Sequence, residues 1–169
     1  MIRELTLLFF SALLIPATTF SGPADSVFRT VLLSEPDVLD PVKMSGTDTA
    51  YLFSNLFRGL FVYEDNLGLV PVGAKKCEYQ SDLKLQCQLN LAHKWNDGSS
   101  VVAEDYVLAF RRLINPKSQS REAGMLLSLK GAKEILSKGA PLETLGVKAL
   151  AKDKLEFTFA QKDFDFIWK

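Results

Sequence analysis

Apolar residues recur along this chain with two different periods, and each period predicts its own kind of element. Residues 103–114 carry Tyr106, Val107, Phe110, Leu113 and Ile114 at helical spacing, and Asn115-Pro116 ends the run. Residues 47–57 gather Leu52, Phe53, Leu56 and Phe57 on one helical face. Thr47 or Asp48 is the expected N-cap there, and Gly59 stands where a C-terminal glycine cap belongs. A third helical region runs over residues 121–137 and is interrupted near Gly131. Period-two stretches predict strands. FRTVLL (28–33) reads as a short strand ended by Glu35-Pro36, and the two prolines of residues 34–42 keep that stretch out of any helix interior. Residues 60–63 and 77–91 read as strands, linked by the turn EDNLG and the segment LVPVGAKK. Asn96-Asp97-Gly98 is a turn, and LGVKAL (145–150) with LEFTFA (155–160) forms a hairpin about AKDK. The order is a mixed α and β one, without internal repeats.

Ahead of these elements stands a different pattern. Residues 1–4 are polar, residues 5–15 (LTLLFFSALLI) are almost wholly apolar, and Pro16 with a run of small residues follows. That is the order of a secretory signal, with cleavage after Ser21 or after Ala24. The other reading is a buried core helix. The run is too short to cross a bilayer, which takes about 20 residues. No cysteine stands near the cleavage zone to carry a lipid anchor, and no later run is long enough to span. The expected mature protein lies outside the cytoplasm and is not membrane-inserted.

Export changes the meaning of the two cysteines. In KKCEYQSDLKLQCQL a three-residue loop centred on Asp82 sets Cys77 opposite Cys87, close enough to bridge. Two independent buried thiols are the other reading, and an oxidising compartment favours the disulfide. Zinc lacks ligands, since His93 is the only imidazole; no metal or cofactor is expected. The 20 basic and 20 acidic residues cancel, which removes the basic excess that a nucleic-acid binder needs. At 47% hydrophobic and 24% charged residues the chain is composed like a globular domain, not a disordered one.

Catalytic patterns are missing. There is no G-x-S-x-G elbow, glycine-rich phosphate loop or H-E-x-x-H helix. Ser81-Asp82-Leu83-Lys84 matches S-x-x-K only formally, inside an expected hairpin turn. His93 reads as a half-exposed residue at a strand end, and Glu104-Asp105 as first-turn acids that favour the helix dipole.

Four segments in order carry a resemblance: SEPDVLDP, LFRGLFVYEDNLGLVPVGAKK, HKWNDGSSVVAEDYVLAFRRLINP and LGVKALAKDKLEFTF. Together they resemble the family 5 extracellular solute-binding proteins, the oligopeptide- and dipeptide-binding receptors of bacterial ABC importers. The third segment is the most specific, with K-W-x-D-G, then A-E-D, then a helix closing in R-L-x-x-P. The chain resembles the N-terminal third of such proteins. It departs from them at Val102, where a capping threonine is usual and Ser99 or Ser100 offers a substitute, and at Glu122, where some peptide binders carry a cleft aromatic.

The resemblance implies a periplasmic-binding-protein-like type II fold, α/β in class, present as a partial lobe plus a smaller mixed domain. Residues 1–22 would be the signal peptide, 23–58 the first strand and start of the large lobe, 59–160 the smaller mixed domain, and 161–169 the start of a truncated return segment. The implied role is capture of a peptide or related small solute for delivery to membrane permease subunits, with no reaction of its own. The family's main-chain contact falls by position on Ser45, Gly46 and Thr47. A turn glycine leading into a helix cap explains the same residues equally well. A truncated remnant without binding, or an exported enzyme, are the alternatives.

Overall fold

The computed structural model describes residues 29–32, 34–36, 38–44 and 46–168. The expected signal segment, Phe28, Leu33 and Ser45 lie outside the described residues. The chain divides into Met1–Val31 and Leu32–Lys169. Of the first unit only residues 29–31 are described, and they are in neither helix nor strand. The expected strand over 28–33 is thus not formed at residues 29–32. Extended backbone becomes a strand only where a neighbour takes up its hydrogen bonds, and none of the β-ladders includes these residues.

In the second unit, helix α1 (Thr47–Leu56) leads into a two-stranded ribbon of β1 (Phe61–Glu64) and β2 (Gly68–Pro71). β2 arises in a segment whose pattern reads as a link. Its Pro71 stands opposite Phe61 at the ribbon's end, where a missing N–H costs no ladder bond. A four-stranded antiparallel sheet follows, in spatial order β3-β4-β6-β5, from β3 (Ala74–Ser81), β4 (Lys84–Leu89), β5 (Val147–Ala151) and β6 (Lys154–Thr158). Between its hairpins come α2 (Ala103–Ile114), a 3-10 helix (Arg121–Leu126) and α3 (Ala132–Lys138).

The core lies on one face of this sheet. Leu85, Cys87 and Leu89 of β4 alternate inward, as do Leu155 and Phe157 of β6, while Gln86, Gln88 and Glu156 occupy the other face. α2 packs across β5 and β6 and contributes Ala103, Val107 and Ile114, all essentially inaccessible. Among the described residues Phe157 is the largest fully buried side chain, with Phe110 edge-on at 5.2 Å and Phe166 tilted at 5.1 Å. Burying a side chain of this size stabilises by roughly 1.5–3 kcal/mol. Phe166 brings the terminal 3-10 helix (Phe166–Trp168) onto the same core.

The β5–β6 turn accepts two backbone bonds at one corner, one from α2 and one from β4 of its own sheet. Ala103 N–H donates to Lys152 at 2.8 Å and Leu89 N–H to Asp153 at 2.8 Å. The β5–β6 turn thereby serves an otherwise unpaired donor in the first turn of α2.

Candidate functional site

Helix α1 begins as the sequence suggests, but not by the expected cap. The N-cap is Gly46, with φ 84° and ψ 161° and no side-chain cap bond. That backbone geometry is one that side-chain-bearing residues rarely adopt. No atom lies within 4 Å of the place a Cβ would take, so the glycine is required by the backbone and the space above it is open. Its carbonyl accepts from Ala50 N–H at 3.2 Å, and Thr47 beside it is exposed.

The stretch ahead of Gly46 is tied to α2. Asp40 of the L-D-P motif accepts from the Val42 backbone N–H at 3.1 Å and from Arg112 Nη2 at 2.7 Å. Arg112 belongs to the R-L-x-x-P end of α2, so two motifs far apart in the chain meet in one ion pair. Burial pushes the Asp40 carboxyl up, but the Val42 N–H and the Arg112 guanidinium outweigh it and hold the group below its ordinary value.

The K-W-x-D-G and A-E-D motifs meet as well. Trp95 Nε1 donates to Asp105 at 3.2 Å, and the same carboxylate oxygen accepts from Val102 N–H at 2.8 Å. Val102 is the N-cap of α2 and has no oxygen to offer, so the helix start is held by Asp105 reaching back. Ser99 does not replace the missing cap. Its hydroxyl donates instead to Asp97 at 2.6 Å and its N–H to the same oxygen at 2.8 Å. The Ser99 hydroxyl and N–H hold Asp97 below the ordinary carboxylate range.

Beyond this corner an open groove of about 760 Å³ runs between the end of α1 and α2, walled by Phe57, Arg58, Trp95 and Tyr106 among others. The structure does not bring it together with Gly46, which is the opposite end of α1. Residue patterning missed it, because Leu56 and Phe57 read as core positions. They are 63% and 46% exposed, leaving Phe53 as the buried aromatic of the helix. Gly59 is not a helix cap, since the chain turns extended at Phe57 and Gly59 instead accepts from Gly73 N–H at 3.1 Å.

His93 donates through Nε2 to the Val72 carbonyl at 3.0 Å, a structural bond. Ser81 and Lys84 of the S-x-x-K match face each other across the first hairpin turn. Cys77 and Cys87 are directly paired in β3 and β4, with Cα atoms 4.0 Å apart, and are joined by a disulfide. The loop between the strands has two residues, not three, and a bulge between Tyr79 and Ser81 restores the register. Glu122 is half-buried in the 3-10 helix, where its N–H is capped by Ser120 at 3.2 Å. Among the described residues no three His, Cys, Asp or Glu side chains gather as a metal site, and no helix is long and apolar enough to cross a membrane.

Residues 68–168, more than half of the chain, match the family model of bacterial extracellular solute-binding proteins, family 5 Middle. The chain belongs to the family 5 extracellular solute-binding proteins. It is 36% identical over 151 residues to the probable deoxycholate-binding periplasmic protein YgiS of Escherichia coli strain K12, covering 87% of this chain and 28% of that protein. It is 32% identical over 130 residues to the periplasmic oligopeptide-binding protein OppA of the same strain, covering 76% and 24%. The solved structure of the Escherichia coli murein tripeptide binding protein MppA superposes with a TM-score of 0.74 at 29% identity, covering 79% of this chain and 26% of that one. The chain therefore spans about a quarter of the length of these family 5 relatives. The mixed α and β architecture is the one found in solved family 5 proteins. Family 5 is a family of binding proteins, not of enzymes.

Proposed function

We propose that this chain is part of the solute-capturing component of an ABC importer, acting in the periplasm and passing a peptide or a related small solute to membrane permease subunits. The observation that carries the reading is the family match over residues 68–168, joined to likeness with receptors named for oligopeptides and a murein tripeptide. Likeness to a protein named for deoxycholate keeps a non-peptide solute within the same role. In this reading residues 23–58 begin the large lobe, 59–160 form the smaller domain, and Ser45, Gly46 and Thr47 contact the ligand's main chain. The open space above Gly46 supports that assignment, because another backbone can approach there.

A few main-chain hydrogen bonds contribute about 0.5–1.5 kcal/mol each, whereas association costs an estimated 4 kcal/mol or more. Binding to this chain alone is thus weaker than about a micromolar, which corresponds to roughly 8 kcal/mol. Amide shift mapping during titration with a mixture of tri- to pentapeptides tests the reading. Shifts of Gly46 and Thr47 that saturate at high peptide concentration are expected. Shifts confined to other residues, or none, overturn the assignment of that contact.

A further inference from the structure

A second hollow opens on the other side of Tyr106. It is a trough of about 370 Å³ between the β1–β2 ribbon, α2 and the terminal 3-10 helix, and it reaches the core at Leu85 and Phe157. Leu60, Phe61, Leu69, Phe110, Phe166 and Ile167 make its walls apolar. Among the described residues Arg58 is the one charged side chain on the wall, and it has no partner in the described ion pairs and hydrogen bonds. Arg58, Tyr106 and Ala109 also line the larger groove, so the two hollows are continuous past the phenol.

Tyr106 is held at this junction by backbone. A Cβ on Gly73 would collide with its hydroxyl and with the Gly59 carbonyl, so the phenol tip sits in the notch where Gly59 and Gly73 cross. That notch adjoins Arg58 in the chain. Burial, and the nearby Asp105 charge, push the Tyr106 pKa up, so the hydroxyl is protonated at neutral pH. Among the described side-chain bonds none involves it.

We propose that the trough binds an amphipathic monocarboxylate, its apolar body on the aromatic walls and its carboxylate on the Arg58 guanidinium and the Tyr106 hydroxyl. Charge complementarity selects this occupant. A lone cation on the wall of an apolar hollow matches a lone anion on an apolar body, and a carboxylate takes a guanidinium in bidentate fashion. A peptide main chain would need several donors and acceptors that these walls lack. The proposal shares the solute-binding role inferred above but uses the end of α1 away from Gly46.

Titration of the full chain with sodium decanoate, followed by Arg58 and Tyr106 resonances, tests it, with decyltrimethylammonium as the same tail bearing the opposite charge. Saturable decanoate binding at least tenfold tighter than that of the cation is expected. Arg58→Gln should lose about tenfold, the equivalent of 1.4 kcal/mol. Arg58→Lys should recover part of the loss, and Tyr106→Phe should weaken binding a few-fold. Gly46→Val should leave decanoate binding unchanged while altering peptide shifts, which separates the two sites. Equal affinity for both tails, an unaffected Arg58→Gln, or no binding overturns the proposal. A decanoate-insensitive trough whose resonances change with protein concentration overturns it in favour of a second copy as the occupant.

Discussion

Asp40 and Arg112 stand 72 residues apart in sequence and meet at 2.7 Å, so the loop that carries Gly46 is moored to the last turn of α2. The candidate ligand contact is therefore positioned by the helix that also closes the core.

That mooring predicts a pH signature. Asp40 is held below its ordinary value of 3.8 in the folded chain. A carboxylate lowered on folding contributes stability that is present above its unfolded pKa and lost as pH falls through the folded one. Arg112→Gln should raise the Asp40 pKa, read from its side-chain carbon shift, and should move amide shifts of residues 38–46. An Asp40 titration unchanged by the substitution contradicts the pairing. Arg112 is 54% exposed on its side chain, so the effect on overall stability stays small and fades with salt.

Asp105 performs two tasks with one oxygen, fixing the Trp95 indole and satisfying the Val102 N–H. Asp105→Ala should cost about 0.5–2 kcal/mol of stability, the range for a lost helix cap. The Trp95 emission should shift to the red in a Trp168→Phe background, since the chain has two tryptophans. Asp105→Asn keeps an acceptor and should cost less. An Asp105→Ala protein with unchanged midpoint and emission would show that the bond carries nothing.

The Cys77–Cys87 bridge closes a loop with a sequence separation of 10 between β3 and β4. Loop-closure reasoning gives about 2–3 kcal/mol, or roughly 4–12 °C in Tm for a chain of this size. Replacing both cysteines by alanine should lower Tm within that range and leave the far-ultraviolet spectrum intact. Two reactive thiols in the denatured, non-reduced protein would contradict the bridge.

Gly73 tests the crossing beneath Tyr106. Gly73→Ala drives a methyl into the Gly59 carbonyl and the phenol, at about 1–3 kcal/mol for overpacking. Tyr106→Phe should relieve part of that loss, because the hydroxyl is one of the two obstacles. Additive effects of the two substitutions in denaturant melts would mean that the residues do not meet there.

Local patterns carried much of this fold. The bounds of α2 follow from its apolar spacing and from Asn115-Pro116, and the pairing of Cys77 with Cys87 follows from hairpin symmetry even though a bulge replaces one loop residue. The family and its fold class were legible too, from motifs whose mutual contacts now give their reason: Trp95 with Asp105, and Asp40 with Arg112. Non-local events were not legible. The pairing of β4 with β6, which merges two hairpins into one sheet, joins Cys87 to Leu155 across a long stretch of chain that no local period reports. The exposure of Leu56 and Phe57 likewise depends on what packs beside them, and the extended turn at Phe57 leaves Gly59 to the Gly73 crossing and not to a helix cap. The Arg58–Tyr106 trough lies among residues brought together only by tertiary packing.

The central claim is that this chain holds part of a solute-capturing site at the start of α1. Photo-crosslinking with peptides that carry a diazirine beside the main chain, followed by mass-spectrometric mapping, tests it most directly. The account predicts labels at residues 45–47, displaced by excess unlabelled peptide and reduced by Gly46→Val. Displaceable labels that map instead to the sheet or to α3, with residues 45–47 clean, would contradict it.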